Sequence, residues 1–194
     1  MNATAPRSAS FLRRSFAWLL DAIPLALLAT ALAWHWAAPA AVRFSAGYRA
    51  LSDLVAQRMV DGLLAGTQAP ALAHALVRDP VLQAAAAHVQ DALFALLVPW
   101  TLAYAALAFA WHVAGDLSPW RASPGKHALG LRVEALDGAA PTAPQAMLRE
   151  AAGALSWLTL NLGHALALLP PRRQSLHDRI ARTRVVFFFR PRCR

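Results

Sequence analysis

Asp21 stands inside an apolar run, seven residues after Arg14 and three before Pro24. If that run crosses a bilayer, a carboxylate at its centre costs roughly 2.5–3.5 kcal/mol on insertion scales, and less near an edge. Such a group is retained to bind a proton or cation, or to answer a positive charge elsewhere. Arg14 and Asp21 lie within about 20° of each other around a helix but about 10.5 Å apart along it. That is too far for the pairing of charges four residues apart. The local neighbours of Asp21, namely Ala17, Trp18, Pro24 and Leu25, carry no charge. The carboxylate is therefore expected to be protonated, hydrated, or held by another part of the chain, such as Arg149 or Arg179. Pro24 has no N–H to donate to the carbonyl of Leu20 and is expected to kink the helix there.

A second titratable group is His177-Asp178-Arg179. A histidine beside a carboxylate has the residue types of a base and its orienter, and its charge changes near neutral pH. Adjacent residues seldom face each other, however, and no nucleophile motif accompanies the pair. Pro124, Gly125 and Lys126 lack the glycine frame of a phosphate loop; they are expected to form a polar motif on the cytoplasmic side. His35, His74, His88, His112 and His164 show no metal-ligand spacing, and His35 and His112 suit span ends at an interface. A single cysteine, Cys193, excludes an internal disulfide and a cysteine-based metal site. No enzyme activity, cofactor or metal is expected.

The elements that must position these groups are apolar. Of 194 residues, 58% are hydrophobic and 15% charged, with a mean hydropathy of +0.38. That balance is unlike an ordinary soluble domain and points to membrane segments, while the length suits one domain. Residues 16–38, 92–114 and 148–169 are each long enough to cross about 30 Å of hydrocarbon as a helix. Residues 1–12 are small and polar and expected to be disordered. Arg13-Arg14-Ser15-Phe16 resembles a twin-arginine export signal, but the apolar run after it is longer than a signal core and contains Asp21. It reads as a retained span.

Between the first two spans, residues 39–90 read as an extended amphipathic helical connection, expected outside the membrane. Phe44, Tyr48, Leu51, Val55, Met59 and Leu63 recur at spacings of three and four. Residues 66–70 should break this helix, a short helix should follow from Ala71, and Asp79 should cap the next one with Pro80 at its first position. Further on, alternation over 129–135 predicts a half-buried strand. Residues 185–189, β-branched and aromatic, are expected to pair with it on the cytoplasmic side. Thr142 and Gln145 have the spacing of a helix-capping box.

The net charge is +9, but the positive residues flank apolar segments instead of lining one soluble face, so nucleic acid is not the expected partner. Cytoplasmic flanks of membrane spans are enriched in Lys and Arg. With the N-terminus and everything after residue 115 inside, fifteen of the nineteen positives are inside and four, in 39–90, outside. A full third crossing would leave only seven inside. Two spans plus a third apolar segment are therefore expected, the third re-entrant near Asn161-Leu162-Gly163, interfacial or spanning. Both termini are placed in the cytoplasm. The basic tail, from Arg172 to residues 190–194, is expected to meet anionic lipid.

Three blocks carry a resemblance to a known family. They are Arg14-Ser-Phe-Ala-Trp-Leu-Leu-Asp21, Ser123-Pro-Gly-Lys-His-Ala-Leu-Gly-Leu-Arg-Val133 and Arg173-Gln-Ser-Leu-His-Asp-Arg179. In type and order they resemble the RDD family of small bacterial integral membrane proteins, named for one arginine and two aspartates. The resemblance implies a domain over 13–189 in the bacterial inner membrane, crossing it more than once. It places the family's arginine on Arg14 and its aspartates on Asp21 and Asp178. The long connection at 39–90 departs from the short external loop usual in relatives. The family's molecular function is largely unassigned, so the resemblance implies a location and a site without an activity. The expected fold is an all-α membrane protein of two transmembrane helices and the third apolar segment, with a short β pair. The expected role is a helix-packing, assembly or binding module organised by Arg14, Asp21 and Asp178, with His177 and Arg179 nearby. The alternative is cation, proton or small-solute transport by a homo-oligomer using Asp21.

Overall fold

The structure is a computed structural model that describes residues 9–158 and 174–187. It is mostly helical: α1 (Phe11–Leu64), α2 (Ala69–Arg78), α3 (Pro80–Leu117), α4 (Pro124–Ala128), α5 (Ala143–Leu158) and α6 (Leu176–Ile180). Two strands, β1 (Leu131–Ala135) and β2 (Thr183–Phe187), complete it. Helices α1 and α3 are long and apolar enough to cross a membrane.

Helix α1 differs from its expected form. It runs without a break through Pro24 and Pro39, so the first apolar run and the amphipathic segment beyond it are one helix of 54 residues. Proline removes one backbone donor and strains one turn. The alanines flanking Pro39 favour helix strongly enough to carry it across. Gly115 lies inside α3, which continues to Leu117. Its lack of a side chain serves packing, because a Cβ there would lie 2.7 Å from the backbone N and Cα of Ser123.

Other expectations hold. The chain turns between Leu64 and Ala69, and Pro70 occupies the first turn of α2. Asp79 caps α3: its Oδ1 accepts from the N–H of Val81 at 2.8 Å and of Leu82 at 3.4 Å. Gln145 Oε1 accepts from the N–H of Thr142 at 3.0 Å and so ties the start of α5.

The chain forms two compact units. The second, Ala29–Ala103, contains the inner parts of α1 and α3 with α2 between them in sequence. There Trp100 Nε1 donates to Thr30 Oγ1 at 3.0 Å, and Gly47 faces Val89. Thr30 precedes Gly47 on α1 while Trp100 follows Val89 on α3, so the two helices run antiparallel in this unit. Arg58 also reaches Asp79, at 3.0 Å.

The first unit, Met1–Leu28 with Tyr104–Arg194, holds the strand pair. β1 and β2 are antiparallel, with Val133 opposite Val185 and Glu134 opposite Arg184. Leu131, Val133 and Val185 form a small core with Ala9 and Ala17, flanked by Leu129 and Phe187. The N–H of Ala9 donates to Val185 O at 3.1 Å, and Arg13 lies over the Phe187 ring at 5.0 Å. The start of α1 is thus bound to residues near the other end of the chain. Helix α5 packs against α6. The third apolar segment is described only as far as the end of α5. Its expected turn at 161–163, residues 1–8 and the tail 190–194 lie outside the described residues.

Candidate functional site

Asp21 is 1% exposed, although it lies on an apolar helix. Its partners among the described residues come from elsewhere in the chain, and none is charged. Trp111 Nε1 donates to Oδ1 at 3.1 Å, Ser123 Oγ to Oδ2 at 2.6 Å, and the N–H of Gly125 to Oδ1 at 2.8 Å. Of the alternatives open to Asp21, a hold by another part of the chain is the one found, with three neutral donors in place of Arg149 or Arg179. An indole, a hydroxyl and a peptide N–H thus satisfy both carboxyl oxygens among the described residues.

Gly125 reaches Asp21 because it has no side chain. Pro124 opens α4 and presents the next peptide N–H to α1. A Cβ on Gly125 would press on the carbonyl of Ala17 and come within 2.9 Å of the Asp21 carboxylate. Gly125→Ala is expected to cost about 1–3 kcal/mol through overpacking. It would be seen as a lower midpoint in thermal unfolding of the detergent-purified protein, and an unchanged midpoint would argue against this contact.

The second polar group is a chain of alternating charges. Arg14 Nη1 reaches Asp178 Oδ2 at 2.6 Å, and Arg149 Nε reaches Asp178 Oδ1 at 3.1 Å. Arg149 Nη1 continues to Asp116 Oδ2, and Lys126 Nζ closes on Asp116 Oδ1 at 3.0 Å. The order Arg14–Asp178–Arg149–Asp116–Lys126 gives each buried carboxylate two cations. Glu150 lies 3.6 Å from Arg149. Arg14 Nη2 also donates to Val185 O at 3.4 Å, linking this chain of charges to β2.

Burial alone would raise the pKa of Asp178. The guanidiniums of Arg14 and Arg149, and then His177, outweigh burial and hold the carboxyl well below the usual range. A carboxylate whose pKa is depressed on folding contributes stability that is fully present above its unfolded value, about 3.9, and lost as the pH falls through its folded value. Stability should therefore not vary with this group between pH 5 and pH 9. It should decline only in stronger acid, as a pH series of thermal unfolding midpoints would show.

His177 is buried, with its Nε2 at 2.9 Å from Ser175 Oγ and 3.7 Å from Asp178 Oδ1. One ring nitrogen thus faces both groups, whereas a proton relay needs the serine on one nitrogen and the carboxylate on the other. Arg179, expected beside the site, is exposed and takes no part in the charge chain. Arg184, from the basic tail, approaches Glu134 across the strands at 3.5 Å. His112, expected at an interface, is buried.

Asp116 and Arg149 thus join Arg14 and Asp178 as members that sequence reading had not brought together. Asp116 lies just past the second expected span, and Arg149 is suggested by the sequence only as a partner for Asp21. Both share the signal that marked Asp21, a charge at the rim of an apolar run.

A model of the RDD family matches residues 8–182, which is most of the chain. The chain belongs to the RDD family. Neither the curated proteins nor the solved structures contain a significant match to it. Of the three RDD positions, Arg14 and Asp178 meet directly. Asp21 is held separately by α3 and by the residues around the start of α4. With two long apolar helices, this RDD chain has the character of a membrane protein.

Proposed function

We propose that this chain is a multi-pass membrane protein of the bacterial inner membrane. It would act there as an assembly module, with its charge chain and Asp21 clamping the helix ends together. The observation that carries this reading is that Asp178 and Asp116, both buried, each bridge two cations contributed by different segments. Such an arrangement fixes which segments meet, because removing any one partner takes an ion pair from a buried charge.

The pattern of charge along the two long helices supports the membrane placement. Residues 22–42 of α1 and 92–115 of α3 contain no Asp, Glu, Lys or Arg. Each run is about 20 residues or more, the length a helix needs to cross hydrocarbon. Asp21 and Asp116 then fall at one edge of the apolar layer and Arg43 and Asp91 at the other. The start of α1 and the end of α3 belong to one compact unit, which supports placing both on one side. The count of positive residues makes that side the cytoplasm. Transport gains no support from Asp21, whose two oxygens are already engaged.

Two arms test the proposal. In oriented membrane vesicles, an impermeant thiol reagent should label Cys193 only from the cytoplasmic side; labelling from outside overturns the orientation. Arg149→Met should remain in the membrane after alkaline extraction yet lose at least about 1.5–3 kcal/mol of folding stability with its charge-assisted bonds. A variant that resists proteolysis as well as the parent would sink the assembly role.

A further inference from the structure

We propose that the cavity between α1 and α3 in the second unit binds a phosphate ester bearing a primary ammonium group, the head-group chemistry of an aminophospholipid. The cavity has a volume of about 360 Å³ and is lined by Arg43, Gly47, His88, Asp91, Ala92 and Ala95. Arg43 and Gly47 are one turn apart on α1. The other four share one stripe of α3, at helical spacings of three and four. The small residues Gly47, Ala92 and Ala95 leave the space open, and Arg43, His88 and Asp91 supply its charge and polarity.

Those three polar side chains make no hydrogen bond or ion pair among the described residues. Arg43 and Asp91, both exposed, line the same cleft without closing on each other, so a cation and an anion face one space with no protein partner among the described residues. A zwitterion matches that pattern. Its phosphate suits the planar fork of the Arg43 guanidinium, with a ring N–H of His88 as a further donor. Its ammonium suits Asp91. A simple anion would meet repulsion from Asp91, and a quaternary choline group has no N–H to donate to it. The alanine side of the cavity is apolar, as an amphiphile's neck requires, and the volume falls within the range of small-molecule sites, about 300–1,000 Å³. Arg43 and Asp91 are also the first charges beyond the uncharged runs of the two helices, where phosphates lie if those runs span a bilayer. The lipid source, though not the head-group chemistry, rests on the membrane reading above.

The test uses the full chain purified in detergent, freed of lipid and titrated with short-chain phosphatidylethanolamine, phosphatidylcholine of the same chains, and phosphoethanolamine. Binding is read from the unfolding midpoint and from tryptophan fluorescence. Phosphatidylethanolamine should give a saturable response at a concentration roughly tenfold lower than phosphatidylcholine, the ratio expected for one lost charge-assisted contact. Arg43→Gln and Asp91→Asn change exposed side chains and should each weaken that response at least about tenfold. Ala95→Leu should abolish it by filling the cavity. Equal responses to the two lipids, or responses unchanged in these variants, overturn the site. If phosphoethanolamine saturates as readily as the lipid, the site stands and its ligand is a soluble solute. Release of the protein by alkaline extraction would defeat the membrane reading alone, leaving phosphoethanolamine binding as the measure of the site.

Discussion

Asp178→Asn is expected to remove most of the folded protein from a detergent extract, although it changes a single atom. Asp178 Oδ1 faces Arg149 Nε, while Oδ2 faces both Arg14 Nη1 and the N–H of Ser175. An amide has one oxygen, so whichever way it turns, its NH₂ meets a guanidinium. Two cations, Arg149 buried and Arg14 half-buried, then lose their shared anion. Breaking such a pair costs about 3–5 kcal/mol, a large share of the roughly 5–15 kcal/mol that holds a typical fold. For a chain of this length that corresponds to a fall of roughly 10 °C or more in the unfolding midpoint. Arg14→Gln added to Asp178→Asn should recover part of the loss, because Asp178 and the Val185 carbonyl are the bonds Arg14 makes in the charge chain. Arg149 would keep Asp116. A positive coupling between the two substitutions is the signature of a direct pair. A midpoint within a degree of the parent for Asp178→Asn would mean that the charge chain does not hold the unit together.

Much of the local structure was legible because it depends on local chemistry. Asp79 before Pro80 specifies a helix start, alternation from Leu131 to Ala135 specifies a strand, and Thr142 with Gln145 specifies a cap. Each rests on residues a few positions apart. Charge pairing was not legible in the same way. Arg14 and Asp178 are 164 residues apart, and no spacing rule operates at that range. The family resemblance named both positions without pairing them.

Two features less legible in the sequence share a physical source. For a partner from elsewhere in the chain, the sequence offers Asp21 conspicuous candidates in Arg149 and Arg179, whereas the chain satisfies it with an indole, a hydroxyl and a backbone N–H. Neutral donors carry no sequence mark as conspicuous as an arginine. Helices α1 and α3 likewise pass through Pro39 and Gly115, at the ends of the apolar runs 16–38 and 92–114. In long alanine-rich helices one missing donor, or one missing side chain, is outweighed by the turns on either side. The charges that matter most, Asp21, Asp116 and Arg149, all lie at the rims of apolar runs.

The contrast between the two aspartates yields the second large effect. Asp21→Leu would leave Trp111 Nε1, Ser123 Oγ and the Gly125 N–H buried without their acceptor, each at about 1–3 kcal/mol. The summed loss is comparable to that at Asp178. Asp21→Asn should behave quite differently. Its amide oxygen can occupy the Oδ1 position and keep both Trp111 and Gly125, while its NH₂ takes the Oδ2 position facing Ser123. A serine hydroxyl can rotate to accept from it. Asp21→Asn is therefore expected to lose only about 1 kcal/mol, the net worth of an ordinary hydrogen bond. Asp178→Asn is not tolerated in this way, because a guanidinium cannot accept. Unfolding midpoints of the four proteins, Asp21→Asn, Asp21→Leu, Asp178→Asn and the parent, measured in one detergent, separate the two kinds of carboxylate. If Asp21→Asn proves as damaging as Asp21→Leu, the negative charge itself is what the bundle requires, and a cation must reach Asp21 in the working protein.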